Sequence, residues 1–261
     1  MKNSIIAFML TAMATTVFAQ APSQTGMEIA QAADQADRGF ESSEVKLKMV
    51  LRNKQGQEST RFMENRTLEL TSDGDKSLIV FNSPKDVEGT ATLTFTHKQS
   101  PDDQWLYLPA IKRVKRISSD NKSGPFMGSE FAYEDLSSNE VEKYSYKFIK
   151  NETFNGSNTA VVEQDPVDPK SGYTRRLVWY NLDQDYRLEK IEFYDRKNAL
   201  LKTLTYDDYQ KYEGKHWRAK KFLMVNHQSN KETELLFEGY RFKTGAAESD
   251  FDQNSLRRAG S

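Results

Sequence analysis

The chain has 261 residues, of which 37% are hydrophobic and 11% aromatic, enough apolar material for the core of one large domain. Its formal net charge is −1 at pH 7, and this balance argues against a nucleic-acid-binding protein, whose basic face would normally dominate. The sequence contains no cysteine, which excludes disulfides and thiolate metal sites.

Residues 1–19 have the pattern of a secretory leader. Lys2 supplies the positive end, a mostly apolar run extends from Ile5 to Phe18, and Ala19 completes a small-residue cleavage pattern before Gln20. The apolar run is too short for a membrane-spanning helix; the alternative is an uncleaved N-terminal anchor. We expect a cleaved leader and a single domain over residues 20–261, located in the periplasm. Without cysteine, the mature protein is not itself a lipoprotein.

The segment from Thr25 to Phe40 is predicted to be a helix. Apolar residues recur at helical spacing from Met27 to Ala36, and Gly39 is a plausible end. The apolar stripe is narrow and rich in alanine, so the helix should lie across a surface. It is either an ordinary packing helix or part of a lid.

From Ser43 onward the hydrophobic period changes to two, which is typical of strands with one apolar and one wet face. Turn residues such as Asn53 to Gly56 separate the strands. Their regular spacing predicts a barrel or sandwich. After the first strand, the predicted ranges are 60–70, 76–81, 90–97, 104–108, 113–118, 143–150, 160–164, 174–180, 187–194, 200–209, 216–226 and 232–242. The remaining residues, 246–261, are polar, and Phe251 and Leu256 are expected to attach them to the domain.

The least generic stretch runs from Gln104 to Leu136. It opens with a strand that carries Trp105 and Tyr107 and ends at Pro109. These two side chains lie on the same face of the strand, and this face is either ordinary core or the wall of a ligand cavity. A basic group follows, and it is either a charged edge strand that discourages aggregation or a cationic rim for anionic headgroups. The group comprises Lys112, Arg113, Lys115 and Arg116.

The loop from Gly124 to Gly128 carries two large apolar side chains, Phe126 and Met127, between two glycines. Exposing such side chains to water is unfavourable, so we expect them to cover an apolar cavity together with Phe131 and Tyr133. Our hypothesis is that this loop is a lid that leaves when a ligand enters.

Two blocks of sequence, SPKDVEGTATL from Ser83 and WLYLPA…KRVKRIS…FMGSEFAYEDL from Trp105, resemble the outer-membrane lipoprotein-sorting family, the LolA-like periplasmic proteins. The resemblance implies a mainly β fold with a few helices: a half-open antiparallel β-barrel whose opening is covered by helices and loops. It also implies that lipid-like ligands are held inside, and that the partner is an inner-membrane exporter of the RND type.

Signals for catalysis are weak. The three histidines, His97, His216 and His227, have no metal-ligand spacing. Asp102 and Asp103 are predicted to lie in a solvated turn, and the sequence around Glu134 and Asp135 offers no reason for a shifted pKa. No nucleophile elbow, phosphate loop or dinucleotide fingerprint is present. We therefore expect neither an enzyme nor a bound cofactor or metal.

The sequence favours a periplasmic carrier that shields a lipid or the acyl chains of a lipoprotein in an apolar cavity. Burial of each methylene contributes about 0.8 kcal/mol, and a lid that competes for the cavity would allow release. Two alternatives remain: a lipid-sensing or protein-interaction module that regulates an envelope partner, and a hydrolase with an unrecognised site.

Overall fold

The computed structural model describes residues 24–259. The predicted leader, residues 1–19, and the cleavage position before Gln20 lie outside them. The described chain contains two α-helices, α1 (Gly26–Asp37) and α2 (Gln253–Ala259), and thirteen strands. Over this described range, no helix combines the length and the apolar character that crossing a membrane requires.

All thirteen strands pair in the antiparallel sense in one sheet, and each predicted strand corresponds to an observed one. Most of the differences are at the ends, where turn residues extend the pairing. The strands are β1 Ser42–Arg52, β2 Glu58–Leu68, β3 Lys76–Ser83, β4 Ala91–Phe95, β5 Asp103–Leu108, β6 Arg113–Ile117, β7 Tyr144–Phe154, β8 Ser157–Pro166, β9 Tyr173–Asn181, β10 Leu188–Asp195, β11 Leu200–Tyr212, β12 His216–Asn226 and β13 Lys231–Phe242.

The order of strands in the sheet is β6-β5-β4-β3-β2-β1-β13-β12-β11-β10-β9-β8-β7. The first and last strands of the chain are therefore neighbours in the middle, and the two edges are β6 and β7. Residues 118–143 connect these edges; we call them the crossing segment. The predicted fold class is confirmed: a mainly β, half-open antiparallel sheet that helices and loops cover.

Helix α1 begins one residue later than expected, because Thr25 is its N-cap. The Glu28 amide donates to the Thr25 hydroxyl (3.2 Å), and the Thr25 amide donates to the Glu28 carboxylate (2.7 Å). The helix ends at Asp37, before Gly39, whose φ of +92° is readily adopted by glycine. Ile29 and Ala30 are buried, so the narrow apolar stripe faces the sheet.

The apolar residues form two clusters, one on each face of the sheet. The larger cluster joins Ile29 of α1, Phe126 and Phe131 of the crossing segment, and side chains from most strands. We call this side the inner face. The smaller cluster lies under α2 and includes Phe251 and Leu256, which are both buried, as the sequence predicted.

A β-bulge near the end of β13 determines which side chains reach the inner face. Lys46 pairs with Glu238 and Glu44 with Arg241, so two residues of β13 oppose one residue of β1. The first of the two, Gly239, has a φ of +70°, which is typical of a bulge with glycine in the left-handed region. Side chains of a strand point alternately inward and outward, so without the bulge residue 239 would point inward. The residue added by the bulge shifts this pattern by one, and Tyr240 points inward instead.

Candidate ligand-binding site

A cavity of about 470 Å³ lies between α1 and the inner face of the sheet. This volume is within the range of about 300–1,000 Å³ that is usual for small-molecule sites. Helix α1 contributes its small residues Ala30, Ala33 and Ala36, which leave space above the sheet. The opposite wall is aromatic and consists of Phe40, Tyr180, Tyr186, Tyr206, Tyr209, Trp217, Phe222, Phe237 and Tyr240.

Four of these rings form a continuous row across β11, β12 and β13. Tyr206 and Phe222 are direct cross-strand partners with ring centroids 4.7 Å apart. Phe222 and Phe237 are 4.5 Å apart, and Phe237 stacks on Tyr240 at 5.9 Å. Such pairs are stabilising and hold one another in place. The row therefore gives the cavity an apolar wall that exists before a ligand enters.

The tyrosine hydroxyls of this wall stay protonated. Gln164 donates to the Tyr180 hydroxyl (2.6 Å), and burial raises the pKa of Tyr180 to about 12. Burial also raises the pKa of Tyr206 and of Tyr240. At neutral pH these groups are uncharged, so the aromatic wall adds hydrogen-bonding groups without adding charge.

Carboxyl groups gather on the wall formed by α1, the turn before β3 and the crossing segment. Glu140 lines the cavity and is only 6% exposed. Its burial, and next the charge of Asp75, raises the pKa of Glu140 to about 7. Burial likewise raises the pKa of Asp75 to about 6. Asp34 lines the same wall but is neutralised by Arg38, whose Nε lies 2.7 Å from it.

Cationic side chains on the other wall are engaged with aromatic rings. The Arg187 guanidinium lies 4.2 Å from the Tyr209 ring centroid and 4.7 Å from that of Trp217. Arg218 lies 5.5 Å from the Phe40 centroid. These cation–π contacts keep the positive groups at the wall instead of projecting them into the cavity. The cavity is thus apolar on one side and acidic on the other.

The predicted lid residues pack on the inner face beside this cavity and do not line it. Phe126 is 1% exposed, with its ring 5.7 Å from Phe81 and 5.6 Å from Tyr133. Phe131 is also buried, while Met127 and Tyr133 are half-buried against the same cluster. The structure brings these four residues together in one packed cluster, outside the lining of the cavity.

The two strand aromatics, Trp105 and Tyr107, face away from the cavity. Both belong to the cluster under α2, and the Trp105 ring packs against Phe95 at 5.1 Å. Alternation then turns Gln104 inward, where its amide donates to the Tyr133 carbonyl (2.8 Å). The structure thus places Trp105 and Tyr107 in the core under α2, the first of the two interpretations of their face, and outside the lining of the cavity. The period of two identified an apolar face, but the C-terminal helix buries it.

The basic group occupies the edge strand β6 and the turn before it. Its four side chains are exposed, and none lines the cavity: Lys112, Arg113, Lys115 and Arg116. Arg116 forms an ion pair with Asp103 of the neighbouring strand. An exposed edge of this kind, rich in positive charge, is a common protection against strand-to-strand association. The basic group thus lies on an exposed edge of the sheet, a position that is compatible with both interpretations of the sequence.

Other residues considered for chemistry have structural partners. His97 lies between Asp73 (2.6 Å) and Asp103 (3.3 Å); these hydrogen bonds raise its pKa although burial opposes them. Contrary to the sequence-based expectation, burial and then Asp135 raise the pKa of Glu134. Glu134 accepts hydrogen bonds from Ser171 and from the Gly172 amide. Among residues 24–259, no group of three or more acidic or histidine side chains could hold a metal ion.

Sequence reasoning missed the residues that form the cavity. The ring row comes from three late strands whose alternation was recognised, but their aromatic residues were not compared with one another. Had Tyr206, Phe222 and Phe237 been aligned across the predicted hairpins, their common face would have been visible. Glu140 gave no signal, because a glutamate in a polar connection is ordinary.

Several solved structures are similar to the chain. No curated protein matches it. A crystal structure of a Vibrio parahaemolyticus domain, named for outer membrane lipoprotein sorting, is 55% identical over 89% of this chain and 98% of that one, with a TM-score of 0.87. A LolA superfamily protein from Nitrosomonas europaea is 19% identical over 89% of this chain and all of that one, with a TM-score of 0.71, and supports the fold alone.

Two further matches concern the family itself. A DUF1329 family protein from Desulfovibrio piger is 27% identical over 88% of this chain and 97% of that one, with a TM-score of 0.84. A family model described as an uncharacterised protein matches residues 73–258, which is more than half of the chain. The chain therefore belongs to the DUF1329 family of outer membrane lipoprotein-sorting-like proteins, which have the LolA fold.

Proposed function

We propose that the protein is a periplasmic carrier that holds the apolar part of a lipid or lipoprotein in the cavity between α1 and the sheet. The observation that carries this proposal is the row of rings from Tyr206 to Tyr240, which forms a preformed apolar wall. The naming of the Vibrio relative for lipoprotein sorting supports the same class of ligand. Binding, and not catalysis, is the proposed activity.

The energetics suit a carrier. Each methylene moved from water into the cavity contributes about 0.8 kcal/mol, so even part of an acyl chain binds usefully. A cavity of about 470 Å³ has room for about one acyl chain, and a ligand with several chains requires additional space. We propose that the part of the crossing segment that carries Phe126, Met127 and Phe131 supplies this space by moving away from the inner face, so that it acts as the lid.

This lid hypothesis connects ligand entry with release. In the structure Phe126 and Phe131 fill the inner face beside the cavity. A ligand that enters further has to displace them, and the free energy of that displacement is subtracted from its affinity. Such competition lets a carrier bind long chains without holding them permanently.

The partner is proposed on family resemblance alone. An RND-type exporter in the inner membrane would deliver or receive the ligand, and the exposed basic strand β6 would meet anionic headgroups. Chemical cross-linking in the native periplasm, followed by identification of the linked proteins, checks this prediction. Recovery of the carrier without any exporter would contradict it.

The carrier proposal can be tested with a substitution that fills the cavity. Ala33→Phe adds a ring to the side of α1 that lines the cavity, whereas Gln35→Phe adds the same ring at an exposed position of the same helix. We expect Ala33→Phe to prevent displacement of an apolar fluorescent dye by phospholipid, and Gln35→Phe to leave it unchanged. Circular dichroism confirms that both variants fold. Equal lipid binding by both would overturn the proposal.

A further inference from the structure

One side of the cavity combines hydrogen-bond acceptors that have few donors or none. Glu140 is 6% exposed and lines the cavity, and among the described residues no hydrogen bond reaches its carboxylate. Asn65, on β2, lines the same cavity, and its side-chain oxygen is buried without a hydrogen-bond partner. A buried acceptor without a donor, such as the Asn65 oxygen, is unfavourable by about 1–3 kcal/mol, and it belongs to a residue of the same cavity wall as the unbonded Glu140 carboxylate.

The third acceptor is Asp75, in the turn before β3. Its carboxylate receives only long hydrogen bonds, from the Leu70 amide at 3.2 Å and the Ser138 hydroxyl at 3.3 Å. A carboxylate has about four lone-pair sites, so capacity remains for a donor from the cavity. Asn65, Asp75 and Glu140 thus line one cavity with oxygen-bearing side chains, and two of them are carboxyl groups.

From this arrangement we propose that the cavity recognises a primary ammonium group attached to an apolar chain. An ammonium group has three donors and a positive charge, which match three acceptors and two carboxylates. The apolar chain would lie along the row of rings on the opposite wall. The inference rests on the proposed carrier function and names the polar part of its ligand.

The charges around Glu140 favour a cation. Both positively and negatively charged side chains lie near it, but the two cations already have other partners. Arg38 pairs with Asp34, and Lys98 donates to the Thr71 carbonyl at 3.2 Å. Burial and a neighbouring carboxyl group raise the pKa of Glu140 because they disfavour its ionised form. A bound ammonium group would stabilise that ionised form. The charged groups facing it are Asp34 and Arg38 of α1, Asp75, Lys98, and Glu142 on its own segment.

Proton release is a consequence of this recognition. At about pH 6 the Glu140 carboxyl group is mostly protonated in the empty protein, since its pKa is about 7. An ammonium ligand binds the ionised form and expels the proton, so its affinity rises between about pH 6 and pH 8, below the pKa of the amine. A neutral alcohol with the same chain gains nothing from this change.

The experiment compares dodecylamine, dodecanol and dodecanoate as competitors of an apolar fluorescent dye. On the unmodified protein at about pH 8, we expect dodecylamine to bind about tenfold more tightly than dodecanol, and dodecanoate more weakly than either. Glu140→Gln removes the charge and retains the shape; it should abolish the preference for the amine. Asp75→Asn should reduce the preference in the same direction.

Glu142→Gln is the matched control, because it removes the same charge from an exposed position two residues away. It should change each affinity by less than about twofold. Equal binding of amine and alcohol to the unmodified protein would overturn the ammonium site and leave the carrier proposal intact. Failure of all three compounds to displace the dye would overturn both.

Two phospholipids identify the source of the ammonium group. Short-chain phosphatidylethanolamine carries it beside a phosphate, whereas phosphatidylglycerol carries the phosphate without it. Preference for phosphatidylethanolamine that disappears in Glu140→Gln assigns the site to a lipid headgroup. Preference for dodecylamine with equal, weak binding of both phospholipids assigns it to a free alkylamine.

Discussion

Lys202 and Asp135 form a buried ion pair between the sheet and the crossing segment. The Lys202 Nζ lies 2.6 Å from the Asp135 carboxylate, and the two side chains are only 4% and 7% exposed. The same ammonium group donates to the Glu130 carbonyl at 2.9 Å. One lysine of β11 therefore holds the crossing segment at two points, beside the packed residues Phe126 and Phe131.

We predict that Lys202→Met strongly destabilises the fold. The substitution keeps an apolar stem but leaves Asp135 buried without its partner, and removal of one member of a buried pair costs about 3–5 kcal/mol. Urea unfolding monitored by circular dichroism gives the change. Lys243→Met is the matched control, because Lys243 pairs with Glu213 at 3.0 Å in an exposed position, where an ion pair contributes little to stability.

The packing of Phe126 leads to a second prediction. Phe126→Ala should reduce the free energy of unfolding by about 3–5 kcal/mol, because the ring is buried against Phe81 and Tyr133. Met127→Ala should cost about 1 kcal/mol, since its side chain is half-buried. Chemical denaturation of both variants measures the difference. Similar, small effects would mean that Phe126 moves freely with the segment instead of belonging to the core.

Stability should depend on pH through Glu140. Its pKa is about 7 in the folded protein and 4.5 when unperturbed, so the folded state binds the extra proton between these values. The contribution of Glu140 to stability is then greatest below about pH 4.5 and is lost as the pH rises towards 7. Glu140→Gln should flatten this decline and be the more stable protein at about pH 8.

Thermal unfolding of the two proteins at several pH values tests this prediction. Glu142→Gln serves as the control, because this exposed carboxyl group lies on the same segment. A wild-type stability that does not fall between about pH 5 and pH 8 relative to that of Glu140→Gln would contradict the raised pKa.

A fourth prediction concerns the close approach of α1 to the sheet. A Cβ atom at Gly26 would lie 2.9 Å from the Phe148 amide nitrogen and 2.9 Å from a Val162 methyl carbon. Gly26→Ala should therefore push the helix away and cost about 1–3 kcal/mol. Because α1 forms one wall of the cavity, dye affinity should change together with the thermal midpoint. An unchanged midpoint and unchanged affinity would show that α1 is not seated so tightly.

Much of the fold can be predicted from the sequence because each strand is recognisable from its own residues. A period of two with polar turns needs no knowledge of the partner strand, and the predicted ranges correspond to the observed strands for this reason. The attachment of the C-terminal residues by Phe251 and Leu256 could also be predicted from the sequence. Large apolar side chains in a polar stretch need an apolar surface to pack against.

The cavity could not be predicted in the same way, because it depends on which face of each strand turns inward. For Trp105 and Tyr107 the decisive element is α2, which lies far along the chain and covers their face. For Tyr240 it is the bulge at Gly239, which reverses the alternation at one point. Both effects are tertiary, and a local pattern contains no trace of them.

The position of β1 beside β13 has a consequence for how the chain could be rearranged. Since these two strands are neighbours, the path from β7 through β13, then from β1 to β6, visits the strands in their spatial order. A circular permutant that joins the original ends and opens the chain within residues 118–143 would therefore be a simple meander from edge to edge. It would retain every strand pairing but cut the crossing segment, which connects the two edges. The stability of the sheet could then be measured separately from the contribution of the intact crossing segment.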